Sequence, residues 1–362
     1  MFFSIYTFTA VLLFLFSLST FSQTAKNRRV KSLLMVSVIW LILYEGLRWE
    51  IGTDWQVYYN SFVRGLVGDD LHEERGYVLI NNILREILPN YTCFLLLLSA
   101  FFYIVIYKIL IKYSIAPLTS LCIYYCTMLG YLGCNRQLIA VMICLLSIRY
   151  IIEKKWRLFL LMIIIAFLFH TSSLIFLPAY FIVNTYFKNR IIVVLILVTL
   201  IIGLSGLIDR IPYINYVSLL DANSSEKLSV YSNQIDVNSF SVWGVLKRLV
   251  IIIPSLFVLR RSDNIIISTF IKLYITGCLV YFTFNGSVLM LMSGRGAMYY
   301  NVTEMLVIPV LIKHYFKNID LQRLIWFSYF CLVLYLMFRD INSYFIMLDE
   351  DIFCPYKTVL FQ

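Results

Sequence analysis

The feature that most constrains this chain is a near-unbroken succession of apolar runs of membrane-spanning length, separated by short breaks rich in lysine and arginine. Runs fall near 2–22, 32–45, 92–111, 115–133, 136–152, 157–170, 172–187, 190–208, 243–259, 264–284, 297–315 and 322–339. A span needs roughly 20 apolar residues, so the pattern predicts about 12 transmembrane helices. Those runs leave no room for a separate soluble domain. The fold class read from the sequence is an all-α polytopic membrane protein, with residues 1–362 forming one integral membrane domain. Composition agrees: 61% of residues are hydrophobic and 14% charged, a balance with which a soluble domain would expose far too much apolar surface.

The net charge of +10 invites a nucleic-acid reading, but its placement excludes one. Lys26, Arg28, Arg29 and Lys31, then Lys154, Lys155 and Arg157, then Lys188 and Arg190, and later Arg260, Arg261, Lys313, Lys317 and Arg323 sit in the breaks between runs. That is the cytoplasmic-loop bias which sets topology. The first run lacks a basic segment before it and has one after it, the reverse of a cleavable signal peptide. Both ends are therefore expected outside. Three longer outer segments follow from this: a loop at 46–91 carrying an amphipathic helix, a second loop at 209–242 and a tail at 340–362. Long outer segments and short inner ones put the working surface outside. Most of the eight cysteines lie within apolar runs without metal-ligand spacing and read as small buried hydrophobes. Val359 to Gln362 match a protease-site remnant and carry no weight here.

The densest set of chemistry-bearing residues runs from Tyr44 to Tyr59, where the second span leaves the membrane. Thr53 followed by Gln56 is a capping-box pattern that starts a helix at Asp54. Trp55, Tyr58, Tyr59 and Phe62 recur at helical spacing and suit an amphipathic helix at the outer interface. Gly52 lets the backbone turn and approach a ligand closely. The N–H groups opening the helix suit an anion, while Asp54 there either acts on substrate or simply complements the helix dipole.

Arg136 and Gln137 follow at another outer end. A guanidinium at membrane depth is paired or used, and its planar donors suit a diphosphate; the plainer reading is an arginine snorkelling to lipid headgroups. His170-Thr171-Ser172-Ser173 marks an outer hairpin, and its imidazole either takes a proton from a hydroxyl near neutral pH or caps a helix. Arg295 between two glycines, with Tyr299 and Tyr300, forms a further cationic and aromatic site. Arg48, Lys247 and Arg248 also fall outside, against the usual charge bias. Acidic runs at Asp69–Glu74 and Asp349–Asp351 are solvated loops or, less favoured, divalent-metal ligands. No cofactor is expected.

Arg48, Gly52-Thr53-Asp54-Trp55 and Tyr58, then Arg136-Gln137 with Ala140, then His170, Ser172, Ser173 and Pro178 together resemble the EpsG-like family, grouped with Wzy-type O-antigen and exopolysaccharide polymerases. Arg295 with its tyrosines and Pro355-Tyr356-Lys357 resemble further family positions. Trp55 stands where the family often has tyrosine, and Cys134-Asn135 have no clear family counterpart. The resemblance implies a bacterial glycosyltransferase of the cytoplasmic (inner) membrane, active on its outer side. It implies undecaprenyl-diphosphate-linked oligosaccharides as substrates, with a flippase and a chain-length regulator as companions. Catalytic residues are then Asp54 and His170, either serving as base. Arg48, Arg136, Gln137, Arg295, Tyr58 and Tyr299 bind diphosphate or glycan. The competing readings are a lipid-linked oligosaccharide flippase or transporter, an O-antigen ligase and, remotely, an acyltransferase. A transporter would carry ionisable groups near the bilayer midplane, where this chain has Lys272 and Glu304.

Overall fold

The structure is a computed structural model that describes residues 4–21, 23–65, 74–210, 240–287, 289–290, 292–348 and 351–361. Among them every regular element is helical: α1 (Ile5–Thr20), α2 (Arg28–Gly46), α3 (Trp55–Arg64), α4 (Arg75–Ile87), α5 (Tyr91–Tyr113), α6 (Pro117–Met128), α7 (Asn135–Ile152), α8 (Trp156–Phe169), α9 (Ala179–Asn184), α10 (Asn189–Ser205), α11 (Val242–Arg261), α12 (Ile265–Phe284), α13 (Met298–Asn301), α14 (Glu304–Tyr315) and α15 (Ile319–Leu348). Most apolar runs of the sequence coincide with helix. Among the described residues, five helices are long and apolar enough to cross a membrane: Tyr91–Tyr113, Asn135–Ile152, Val242–Arg261, Ile265–Phe284 and Ile319–Ser343. Two expected spans are broken instead. Residues Thr171–Phe176 form 3-10 turns before the short α9, and the run at 297–315 is split by a turn at Val302 and Thr303 between α13 and α14, with a π-helical turn at Met292–Gly296 just before it.

The chain divides into two compact units. The first holds residues 1–150, 157–174 and 304–362. At its centre, α6 is buried around nearly its whole circumference, with α1, α2, α5, α14 and α15 packed on it. A helix apolar on all sides belongs in such a position. Helices α2 and α5 approach so closely that a Cβ on Gly46 would lie 2.8 Å from the Leu96 Cα. Ser99 donates across the same seam to the Ile42 carbonyl at 3.1 Å. Small residues and hydroxyl bridges are the usual glue between helices in lipid. The tail closes on this unit through main-chain bonds from Trp49 N–H to the Lys357 carbonyl (3.0 Å) and from Gly52 N–H to that of Ile352 (3.0 Å).

The second unit, 151–156 and 175–303, gathers α9, α10, α11 and α13 around α12. Lys272, on α12, donates to the carbonyls of Val183 and Thr185 at 2.8 Å each. Those acceptors end α9, so the intramembrane lysine satisfies a helix C-terminus. Exposed large apolar side chains line the helices, among them Leu15, Val36 and Ile39 in the first unit and Val194, Leu197 and Ile201 in the second. Such surfaces suit lipid and not water.

Candidate functional site

The site in the first unit begins with two glycines that face each other. Gly52 has φ +107° and Gly133 φ +105°, backbone angles that side chains rarely adopt. A Cβ on Gly52 would stand 2.6 Å from the Leu132 carbonyl oxygen, and one on Gly133 would stand 2.7 Å from the Thr53 nitrogen. Thr53 N–H donates to that same Leu132 carbonyl at 3.0 Å. The absence of side chains thus lets the loop before α3 dock against the loop before α7. Asp54 and Arg136 sit just beyond this junction.

The capping box expected at Thr53 is not formed. The Thr53 hydroxyl instead meets Cys134 Sγ at 3.3 Å, and Gln56 donates to Asn60. The helix starts at Trp55 with Asp54 as its N-cap, and no side-chain cap bond is made. Asp54 is half-buried. The aromatic face is present: Trp55, Tyr58 and Phe62 are buried, and Trp55 stacks on Tyr59 at 4.9 Å.

Arg136 opens α7 with its side chain 24% exposed. Its Nε donates to the Tyr58 hydroxyl at 3.1 Å and its Nη1 to Glu74 Oε2 at 2.6 Å. The Tyr58 ring lies 5.7 Å from the guanidinium carbon. Burial pushes the Tyr58 phenol above its ordinary value, Arg136 works against that rise, and the Asp54 charge adds to it. Asp54, Tyr58, Arg136 and Glu74 therefore form one electrostatic cluster. Glu74 closes the acidic run that was read as a solvated loop or metal ligand; it is an ion-pair partner. Asp69–Glu73 and most of the loop at 209–242, residues 211–239, lie outside the described residues, as do Asp349 and Glu350.

Arg48 is different. It is 2% exposed. Its Nη1 donates to the Glu45 carbonyl at 2.7 Å, its Nε to that of Ile51 at 3.3 Å and its Nη2 to Asn135 Oδ1 at 3.3 Å. The Glu45 carboxylate stands 3.8 Å away. This guanidinium ties the end of α2 to the loop and to the start of α7. Gln137, 2% exposed, is buried beside it in sequence.

His170 ends α8 half-buried, and its Nδ1 accepts from Ser172 N–H at 3.2 Å and meets the Ser172 hydroxyl at 2.7 Å. With Nδ1 accepting a backbone proton, the neutral ring carries its own on Nε2. The His170 ring thus presents a donor. Two residues before His170, Leu168 touches Gly76 of α4, where a Cβ would lie 2.8 Å from the Leu168 carbonyl oxygen. Since Glu74 caps α4, the same helix joins the Arg136 pair and the His170 hairpin.

Arg295 and Tyr299 belong to the second unit. Arg295 is half-buried in the π-helical turn and Tyr299 is fully buried. The neighbouring Tyr300 hydroxyl donates to the Ile175 carbonyl at 2.7 Å. Single π-helical turns concentrate at functional positions. Among the described residues, no three His, Cys, Asp or Glu side chains gather as a metal site would require.

The EpsG family matches residues 31–358, which include every residue of these two clusters. The chain belongs to the EpsG family. That family is associated with Wzy-type polymerases. No curated protein and no solved structure matches the chain. Family membership and geometry meet at the docked loops. The residues that sequence reasoning missed there are Gly133, Asn135 and Glu74, and a glycine three residues before Arg136 is the available sign of the first.

Proposed function

We propose that this EpsG-family chain is a Wzy-type glycan polymerase crossing the bacterial cytoplasmic membrane about twelve times, a count that follows from span length. It joins undecaprenyl-diphosphate-linked oligosaccharide units on the outer face, giving O-antigen or exopolysaccharide. The observation that carries this reading is the quarter-exposed Arg136, held near Asp54 and Tyr58 by two loops locked at Gly52 and Gly133.

The reaction needs two things. A hydroxyl of the incoming unit must lose a proton as its oxygen attacks the anomeric carbon of the growing chain. The bond from that carbon to the lipid diphosphate must break, leaving its electron pair on a phosphate oxygen. Asp54 takes the proton, being the carboxylate of the cluster that bears no cap bond. Arg136 meets the developing charge with its fork of donors. Arg295 is a glycan- or diphosphate-binding residue of the second unit by itself. His170, protonated on Nε2, donates to the glycan or diphosphate and leaves the base role to Asp54. Tyr58 holds the guanidinium and Glu74 orients it. Arg48 is a positioning residue whose donors keep the loop in place, and Gln137 and Tyr299 shape the floors of their two clusters. Fixed cations supply the charge stabilisation, so no metal or other cofactor is required. A flippase delivers the lipid-linked units and a chain-length regulator acts beside the enzyme.

The test uses purified protein and defined lipid-linked repeat units. Asp54→Asn and Arg136→Ala are each expected to lower turnover by about a hundred-fold or more, the usual cost of losing a general base or a charge-stabilising donor. Both variants should insert normally. Transfer of the glycan to lipid A instead of to a second unit would make the chain a ligase. Movement of the unit across vesicles without joining would make it a flippase.

A further inference from the structure

Beside the Asp54 loop, the tail forms a groove of about 530 Å3 lined by Trp49, Glu50, Tyr356, Lys357, Thr358 and Phe361. Phe361 lies in the four-residue end set aside above, and the family match stops at Thr358; the remaining five residues define the groove. Its walls are fixed. Trp49 N–H bonds the Lys357 carbonyl at 3.0 Å, and Arg48 pairs with Thr358 in an isolated antiparallel bridge. The Tyr356 ring stacks on Tyr44 at 5.2 Å, and its hydroxyl donates to the Tyr44 carbonyl. Trp49 packs edge-on against Trp55 at 4.8 Å and Tyr59 at 5.6 Å. Half-buried rings held this way offer flat apolar faces without an ordering cost.

The charged groups of the groove form one ion pair, beside the Thr358 hydroxyl. Lys357 Nζ donates to Glu50 Oε2 at 2.8 Å, with the two side chains 51% and 46% exposed. Glu50 reaches it from a backbone with φ +53°, a conformation uncommon for glutamate. Such an outlier points toward function when it aims a side chain. Rigid aromatic faces, an exposed carboxylate and ammonium, and no net charge together describe a receptor for a neutral polyhydroxylated ring. A diphosphate would find no excess of cations here.

We propose that this groove is a saccharide subsite which holds a sugar of the incoming repeat unit away from the reacting hydroxyl. The proposal rests on the polymerase reading and deepens it. The ring lies on Trp49 and Tyr356, while hydroxyls exchange bonds with Glu50 and Lys357. Through the Trp49–Trp55 contact the subsite is continuous with the start of α3, and so with Asp54.

The experiment measures equilibrium binding of the free oligosaccharide, released from lipid-linked units by mild acid, to the purified full chain. Wild type should bind it saturably. Trp49→Leu should weaken binding by about ten-fold, the scale of a lost aromatic contact. Glu50→Gly should weaken it as well, and this variant relieves the positive φ, so failure to fold will not explain the loss. Inorganic diphosphate should not displace the sugar. Wild-type affinity in both variants, displacement by diphosphate, or no saturable binding by a wild type that makes polymer would each overturn the subsite. If wild type instead makes no polymer from lipid-linked units, it is the polymerase reading that fails.

Discussion

Gly52→Ala tests the docked loops with one methyl group. At φ +107° an alanine is strained, by about 1–3 kcal/mol. The new Cβ would meet the Leu132 carbonyl oxygen at 2.6 Å, closer than carbon and oxygen tolerate. That oxygen belongs to backbone and cannot rotate away, so the Thr53 bond to it must lengthen, at a further cost of about 1 kcal/mol. A total near 3 kcal/mol shifts the docked loop toward an open state by on the order of a hundred-fold. Polymer synthesis should fall by a similar factor, because Asp54 leaves its place beside Arg136. The packing around α6 contains neither glycine, so the thermal midpoint in detergent should move little. Gly133→Ala should behave in the same way, its Cβ meeting the Thr53 nitrogen at 2.7 Å. Gly130→Ala is the control, since a Cβ there finds only the Asp340 Cβ at an ordinary 3.5 Å. If Gly52→Ala and Gly130→Ala turn over alike, the junction does not hold the site together and the reasoning fails.

Arg136→Lys keeps the charge but loses the fork that reaches both Tyr58 and Glu74, and turnover should drop by about ten- to a hundred-fold in the same assay. Tyr58→Phe keeps the ring near the guanidinium and removes one acceptor, so the loss should stay under about ten-fold. Because burial raises the Tyr58 phenol, the alkaline limb of the activity profile should be identical in wild type and Tyr58→Phe. Burial pushes the Tyr356 phenol up to about 12, with Arg48 working the other way. A raised value means the neutral phenol favours the folded tail fully below the ordinary value of about 10, and that contribution is lost as pH rises from there toward 12. Proteolysis of the tail should therefore accelerate across that window in wild type and lose the dependence in Tyr356→Phe. Polymer synthesis should survive EDTA, since guanidinium groups carry the leaving-group charge; abolition by EDTA and rescue by a divalent cation would refute that assignment.

Much of the fold was legible because membrane helices announce themselves by length and hydropathy. The residues around Asp54 were legible for another reason: charges and glycines at span ends have few structural excuses. What escaped was pairing. The Thr53–Gln56 spacing met every local rule for a capping box, yet a non-local contact with Cys134 took the hydroxyl. Glu74 looked like one more solvated acid because nothing local distinguishes it from Asp69 or Glu73. Only the return of α4 against α8, through Gly76, brings it to Arg136. Lys272 seemed a transporter-like intramembrane charge, but its role is to close the end of α9, a partner nearly ninety positions away. Glu304 likewise accepts from the Tyr329 hydroxyl of α15.

Arg48 and Arg136 show why a sequence cannot rank its own cations. Both stand at helix ends and both lie within the family match, but they differ in what water can reach. Arg48 has carbonyls, an amide and a carboxylate around it at 2% exposure. A ligand oxygen could enter only by breaking those bonds. Removing that charge alone would strand Glu45, which is buried with it, and breaking one side of a buried pair costs about 3–5 kcal/mol. Replacing both partners together, as Glu45→Gln with Arg48→Gln, should cost less than Arg48→Gln alone. A diphosphate-binding Arg48 would instead leave both variants equally inactive in an activity assay, because each lacks the same essential cation. The comparison separates a cation that shapes the loop from one that meets the substrate, the role proposed above for Arg136 with its quarter-exposed side chain.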